Sequence, residues 1–419
     1  MNDDEIYFAK YPAVKERYLE ELCNRIDASK LCSHASTLRG GIPCQVELNM
    51  RELQTMMGGQ NCHAIILFDD QVKWLARFRL TWTSSPPPHV RDYVLQSEVA
   101  TLAYLHAHTA VPVPAIYDWR RESDPDNPLG VGYIFMQKLE GKPVVWGDMN
   151  PAQKTKVMEQ LVATFVELEK HPFKKIGSLA FFETTAVGFD IQHLASPGAF
   201  RAGAQQSLGP FSSPQEQYHS LLIHSKELMR NGEMQTHLPL ELYTSLEYRL
   251  HMLDRVWKDV APTDQFYLKH PDDKGDHILV NQSFEIVGIT DWEWTQTVSK
   301  AEAFCSPCMM WPVAEFYNGD NELSPDEIQF ADMFKQRGRD DLALCIMQGR
   351  KVQRFQWLLG PEASLTERED MLNLLEGLRD ALDAKQEWVR CEQKVLQELE
   401  ADGSLAFVGQ MDLKTASSE

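Results

Sequence analysis

Phe266–Trp294 reads FYLKHPDDKGDHILVNQSFEIVGITDWEW, and the order of its residues decides the fold. His270-x-Asp272 opens the chemistry, His277 follows, and Asp291-Trp292-Glu293 closes it. Between them His277–Val280 and Glu285–Thr290 read as two short strands joined by the polar turn Asn281–Ser283. A loop, a turned-back pair of strands and a second aspartate together answer the needs of phosphoryl transfer to an alcohol. One carboxylate must lie beside the attacking hydroxyl to orient it and accept its proton. A second group at the loop end and another carboxylate after the hairpin must hold a divalent cation against the phosphates. An HxD triplet alone is common, so the reading depends on what lies upstream.

Upstream, Gly58-Gly59-Gln60-Asn61 falls between two strand-like runs and offers backbone N–H groups to phosphates, although Gly-Gly also marks plain turns. Lys73–Leu80 (KWLARFRL) puts Leu75, Arg77 and Arg79 on one strand face. Either arginine supplies a cation for the α- and β-phosphates. Arg77 is preferred, because Leu75 then covers the adenine, whereas choosing Arg79 sets Arg77 under the base. Glu98 lies in the helical text Val90–Thr109, where it is either the partner of that arginine or a solvated glutamate. Met136, Gln137, Lys138 and Leu139, within YIFMQKLEGKPV, read as the edge strand and hinge whose backbone would bond the adenine.

Working outward, residues 1–44 read as a helical extension and 45–139 as a strand-rich N-lobe with one main helix. Residues 140–402 read as a helical C-lobe carrying the loop and hairpin, and 403–419 as a frayed tail. The fold class expected is α+β, a small β-rich lobe ahead of a larger helical one. Gly177–Pro214 reads as loop, Pro325–Phe355 as helix broken near Gly338, and Thr366–Leu399 as one long charged helix. Trp292, Trp294 and Trp311 are expected in core packing ahead of the alternative, the lining of a pocket for an organic substrate. Glu293, Glu302, Asp320 and Glu322 are expected on a solvated surface ahead of an acidic rim for a cationic group.

The 419 residues carry a formal net charge of −20, which repels nucleic acid unless a basic patch intervenes, and no such run is present. That charge is compatible with a cationic group on a small substrate. Apolar runs such as Ala64–Phe68 are far too short to span a bilayer, so no membrane partner is expected. The polar, acidic start MNDDEIYFAKYP does not resemble a secretory leader. Eight scattered cysteines, Cys305 and Cys308 included, suggest free thiols in a reducing cytoplasm.

The chain resembles the aminoglycoside phosphotransferase and choline kinase-like group, in particular fungal proteins with that domain. The resemblance is carried over about residues 45 to 315 by GGQNCHAIIL, KWLARFRL, SEVATLAYLHAHTAVPVPAIYDW, IFMQKLEGKPV, IGSLAFF, GPFSSPQEQY, LKHPDDKGDHILV and GITDWEW. It implies a bilobal protein-kinase-like fold with ATP in the cleft between lobes, and an alcohol on a small molecule as acceptor. By carry-over Asp272 is the catalytic base, Asp291 the metal aspartate, Arg77 the phosphate-binding cation and Glu98 its helical partner. His277 stands where the family usually has Asn. The cofactors implied are ATP and Mg²⁺, with Mn²⁺ as an alternative ion; Mg²⁺ favours oxygen donors, and imidazole suits softer metals. Three accounts are open: His277 bonds a metal-bound water, Asp276 supplies the oxygen instead, or the protein is a weak or inactive nucleotide-binding scaffold on the same fold.

Overall fold

The computed structural model describes residues 16–58, 60–81, 86–182, 185–195, 207–234, 236–257, 264–357 and 367–401. Five antiparallel strands form the N-lobe sheet: β1 (Cys44–Val46), β2 (Asn61–Phe68), β3 (Lys73–Arg79), β4 (Ile116–Arg120) and β5 (Tyr133–Gln137), in the order β1-β2-β3-β5-β4. Strict alternation sorts the two faces. Cys62, Ala64, Ile66 and Phe68 of β2 point the same way as Trp74, Ala76 and Phe78 of β3, and all are buried. Leu19, Leu22 and Ile26, together with Leu31 and Ala35 of the helix Ala28–Leu38, cover that face. The other face sets Leu75, Ile134 and Met136 against Val99 of the helix Pro88–His108.

After β5 the chain crosses to the C-lobe. Its first strand there, β6 (Lys142–Pro143), pairs with β10 (Ile278–Val280), and β10 pairs in turn with β11 (Ile286–Ile289). The expected strand, turn and strand are thus present, and they are stitched to the segment just past the hinge. The helix Pro151–Glu169 starts in a capping box between Asn150 and Gln153. It buries Val157, Leu161 and Val162 in the main C-lobe core with Ile278, Ile289 and Trp292. No helix among the described residues is long and apolar enough to cross a membrane.

Several elements differ from the sequence reading. The stretch Gly177–Pro214, expected as loop, contains the hairpin β7 (Ser178–Phe182) and β8 (Thr185–Gln192). Its Phe181 stacks on Trp119 of β4, with 5.8 Å between ring centres, so tertiary packing overrides a Gly- and Ser-rich text. Residues 45–139 hold a second, short helix besides the one main helix expected, Met50–Thr55, capped by Asn49. Pro325–Phe355 divides into Pro325–Gln336, Asp340–Met347 and Gly349–Trp357, the first break at Gly338 with φ +69°. The long helix over Thr366–Leu399 is two, Arg368–Ala381 and Lys385–Ala401, which part at Asp383 in the left-handed region (φ +49°). The last two strands, β9 (Tyr267–Lys269) and β12 (Gln296–Val298), pair with each other and bracket the loop–hairpin unit.

Candidate active site

A crevice of about 990 Å³ opens between the lobes. Gly58, Asn61, Leu75, Arg77 and Glu98 line it from the N-lobe, and Met136, Gln137, Lys138 and Leu139 from the hinge. Asp272, His277 and Asp291 line it from the C-lobe, so the two aspartates on either side of the hairpin front one space. Gly59 lies outside the described residues. A second furrow of about 620 Å³, beside Pro325–Gln336, contains none of these residues.

The loop before the hairpin is fixed by His270. Its Nε2 donates to the Thr290 carbonyl at 2.8 Å, and its Nδ1 accepts from the Asp272 backbone N–H at 3.2 Å. That pair of bonds requires a neutral ring, and burial lowers the proton affinity of His270 accordingly. His277 stacks on it with 4.0 Å between ring centres. Burial, aided by the Lys274 and Lys269 charges, pulls the His277 pKa down to about 2. Its buried Nδ1 makes no hydrogen bond and sits 4.0 Å from Asp276 Oδ1.

The adjacent aspartates are not equivalent. Asp273 accepts from the Cys308 backbone N–H at 3.1 Å and lies 3.4 Å from Lys269 Nζ, so it ties the loop to the core. Asp272 keeps its carboxylate half-exposed in the crevice, 3.0 Å from the exposed Lys274. Gly275 has φ +106°, and a Cβ there would meet the Met309 sulfur at 3.0 Å, so this turn requires glycine.

On the N-lobe side Arg77 pairs with Glu98, and Arg77 rather than Arg79 lines the crevice beside Leu75. Arg79 instead pairs with Glu293 and bonds Gln60 at 3.2 Å. Glu293 also accepts from Arg77 at 2.5 Å and from Asn61 at 2.6 Å. The Gly58 N–H closes its own turn onto the Asn61 carbonyl at 2.8 Å, so that amide is directed into the turn and not outward.

Two acids expected at the surface are buried. Glu293 is 4% exposed and Glu302 is 3% exposed, whereas Asp320 and Glu322 are exposed. The signal for Glu293 was present in Trp292-Glu293-Trp294, an acid flanked by two tryptophans, and its arginine partners lay far upstream. Trp292 is core, at 1% exposure, while Trp294 borders the crevice. All eight cysteines are free, with Cys305 and Cys308 buried.

For a divalent cation the donors present are Asp291, whose side chain is 60% exposed, with Asp272 and His277 nearby on the same wall. Among the described residues no three acidic, His or Cys side chains converge as a metal cage. This sparse set fits a cation that brings phosphate and water oxygens with it, as Mg²⁺ does, better than a fully protein-caged ion.

The chain is similar to several known proteins. A Thermobifida fusca protein assigned as a fructosamine-3-kinase shares 12% identity and a TM-score of 0.51, over 84% of this chain and 98% of that one. This is a likeness of fold. Aminoglycoside phosphotransferase APH(4)-Ia, solved with AMP-PNP and hygromycin B, shares 13% identity and a TM-score of 0.42, over 81% of this chain and 91% of that one. An ethanolamine kinase of Plasmodium vivax shares 12% identity and a TM-score of 0.39, over 81% and 82%. A subtelomeric hrmA-associated cluster protein of Aspergillus fumigatus is 30% identical over 89 residues. That match spans 21% of this chain and 17% of the relative's length. The model of the phosphotransferase enzyme family matches residues 73–296, more than half of the chain, from the start of β3 to the first residue of β12. Together with the kinase-like fold, that match establishes that the chain belongs to the phosphotransferase enzyme family, the aminoglycoside phosphotransferase group.

Proposed function

We propose that the protein transfers the γ-phosphoryl group of ATP to a hydroxyl of a small molecule. The observation that carries this reading is the sharing of one crevice by Asp272, Asp291 and the Glu98-paired Arg77. Asp272 orients the acceptor hydroxyl and takes its proton, since of the adjacent pair Asp273 is tied to the Cys308 amide and Lys269 while Asp272 faces the crevice more openly. Arg77 meets the nucleotide phosphates, and Leu75 with Met136–Leu139 encloses the base. Asp291, with His277 or Asp276, holds Mg²⁺ or Mn²⁺. The cation, when bound, offsets the charge that builds on the phosphates. The net charge of −20 is compatible with an acceptor that carries a cationic group, and the eight free thiols suit a reducing cytoplasm.

Asp272→Asn should lower the rate of phosphoryl transfer by about 10²–10⁴, measured as ATP consumption across a panel of amino alcohols and sugars. A rate near that of the unaltered protein removes Asp272 from this role. A second reading, a nucleotide-binding scaffold without turnover, is favoured by His277 at the usual Asn position and by the hold of two glutamates on Arg77. Melting curves with ATP test nucleotide binding, since a ligand at 100 times its Kd adds roughly 2.7 kcal/mol. A shift with ATP and metal but no turnover on any acceptor supports the scaffold. No shift with any metal rejects both readings.

A further inference from the structure

Glu293 belongs to the C-lobe turn, yet its side-chain bonds reach into the N-lobe sheet. Its Oε2 accepts from Asn61 Nδ2 at 2.6 Å and from Arg77 Nη2 at 2.5 Å, and its Oε1 pairs with Arg79. Asn61 and Arg79 are register partners across β2 and β3, so one carboxylate clasps both strands at one level. Arg77 turns its other terminal nitrogen to Glu98. Asp291 Oδ1 stands only 3.7 Å from the same Arg77 Nη2 that Glu293 holds. Two carboxylates therefore lie within reach of one donor, and Glu293 is the one bonded to it. Without Glu293, that donor is free to close on Asp291 and draw its carboxylate away from the crevice. Arg79 would also be left as a buried cation beside Arg77, with like charges unbalanced.

We propose that Glu293 is a positioning residue of the nucleotide site, which fixes Arg77 toward the phosphates and keeps Arg77 off Asp291. This rests on the nucleotide reading above and adds to it a residue that acts only through Arg77. Its polar partners are Asn61, Arg77 and Arg79, so its influence falls on the phosphate-binding cation rather than on the hinge that would hold the base.

The test compares ADP with Mg²⁺ against adenosine, by calorimetry or by competition, on the full chain. Glu293→Gln keeps the volume of the side chain and removes its charge. It should weaken Mg·ADP about tenfold, the equivalent of one charge-assisted bond, and leave adenosine unchanged. Arg79→Gln should keep ADP affinity within about threefold, since Arg77 is the cation that meets phosphate. Unchanged or tighter ADP binding in Glu293→Gln overturns the proposal, tighter binding marking Glu293 as a competitor of phosphate. Equal weakening of ADP and adenosine overturns it as well, because a general loss of structure would do that. If Glu293→Gln does not fold, the Arg79→Gln arm decides: a tenfold loss there makes Arg79 the phosphate cation and sinks the assignment. Absence of ADP binding in the unaltered protein is a different result, which rejects the nucleotide reading itself.

Discussion

Asp272 and Asp273 are chemically identical neighbours whose surroundings give them different duties. Asp273 holds the Cys308 amide and faces Lys269, so Asp273→Ala should destabilise the fold by about 1–3 kcal/mol through the groups it leaves unpartnered. Asp272→Asn should leave the melting temperature nearly unchanged while the rate falls. Equal melting shifts for both would remove this division. Glu302 gives a pH signature away from the crevice. It is buried, accepts from Tyr218 Oη at 2.9 Å, and leaves its other oxygen without a partner. Burial raises its pKa to about 7, partly offset by Tyr218 and by the Lys269 charge. The folded chain therefore keeps this proton to higher pH than the unfolded chain. Stability from Glu302 is full below the ordinary carboxylate range and is lost as pH rises toward 7, by at most about 3 kcal/mol. Glu302→Gln should flatten that decline in melting curves taken between about pH 5 and about pH 7.5. An unchanged slope would show that the carboxyl does not titrate there.

The elements were legible in proportion to how local their causes are. The strand–turn–strand over His277–Thr290 could be read because its polar turn and apolar runs lie together in the sequence. Leu75 and Arg77 could be assigned to one face because alternation is a property of three adjacent residues. The β7–β8 hairpin could not be read, since part of its support is Trp119, some sixty positions away. The break at Asp383 was invisible because a non-glycine in the left-handed region leaves little trace in composition. Glu293 failed for the same reason as the hairpin: its partners Arg77 and Asn61 lie more than two hundred positions upstream. At this scale the critical joint is the turn at Gly275. Gly275→Ala should cost about 1–2 kcal/mol from φ alone, and more from contact with Met309. It should also lower ADP affinity if the loop shifts. A variant as stable as the parent would show that the loop adopts another path.

At the level of the whole molecule, the described part of the segment expected as an extension, residues 16–44, packs on the N-lobe sheet, and residues 1–15 lie outside the described residues. Leu19, Leu22, Ile26, Leu31 and Ala35 cover the same sheet face that carries Phe68, Trp74 and Phe78. A chain beginning at Gly41 would expose that face to water, with loss of roughly 25 cal/mol for each Å² uncovered. It should bind a hydrophobic dye and aggregate, as checked by dye fluorescence and light scattering. A soluble, cooperatively melting truncation would contradict this packing.

The segment past the hinge also has a mechanical consequence. Lys142–Pro143 is hydrogen-bonded to β10, and the Leu139 side chain lies so close over Gly288 that a methyl there would stand 2.1 Å from its Cδ1. Gly288 is three positions before Asp291 on the same strand-and-turn unit. The connector between the lobes is therefore less a string than a lever seated on a fulcrum. A guest that presses Leu139 toward Gly288 presses on β11 and on the carboxylate beyond it, so the two ends of the crevice are coupled through this contact and the β6–β10 pairing.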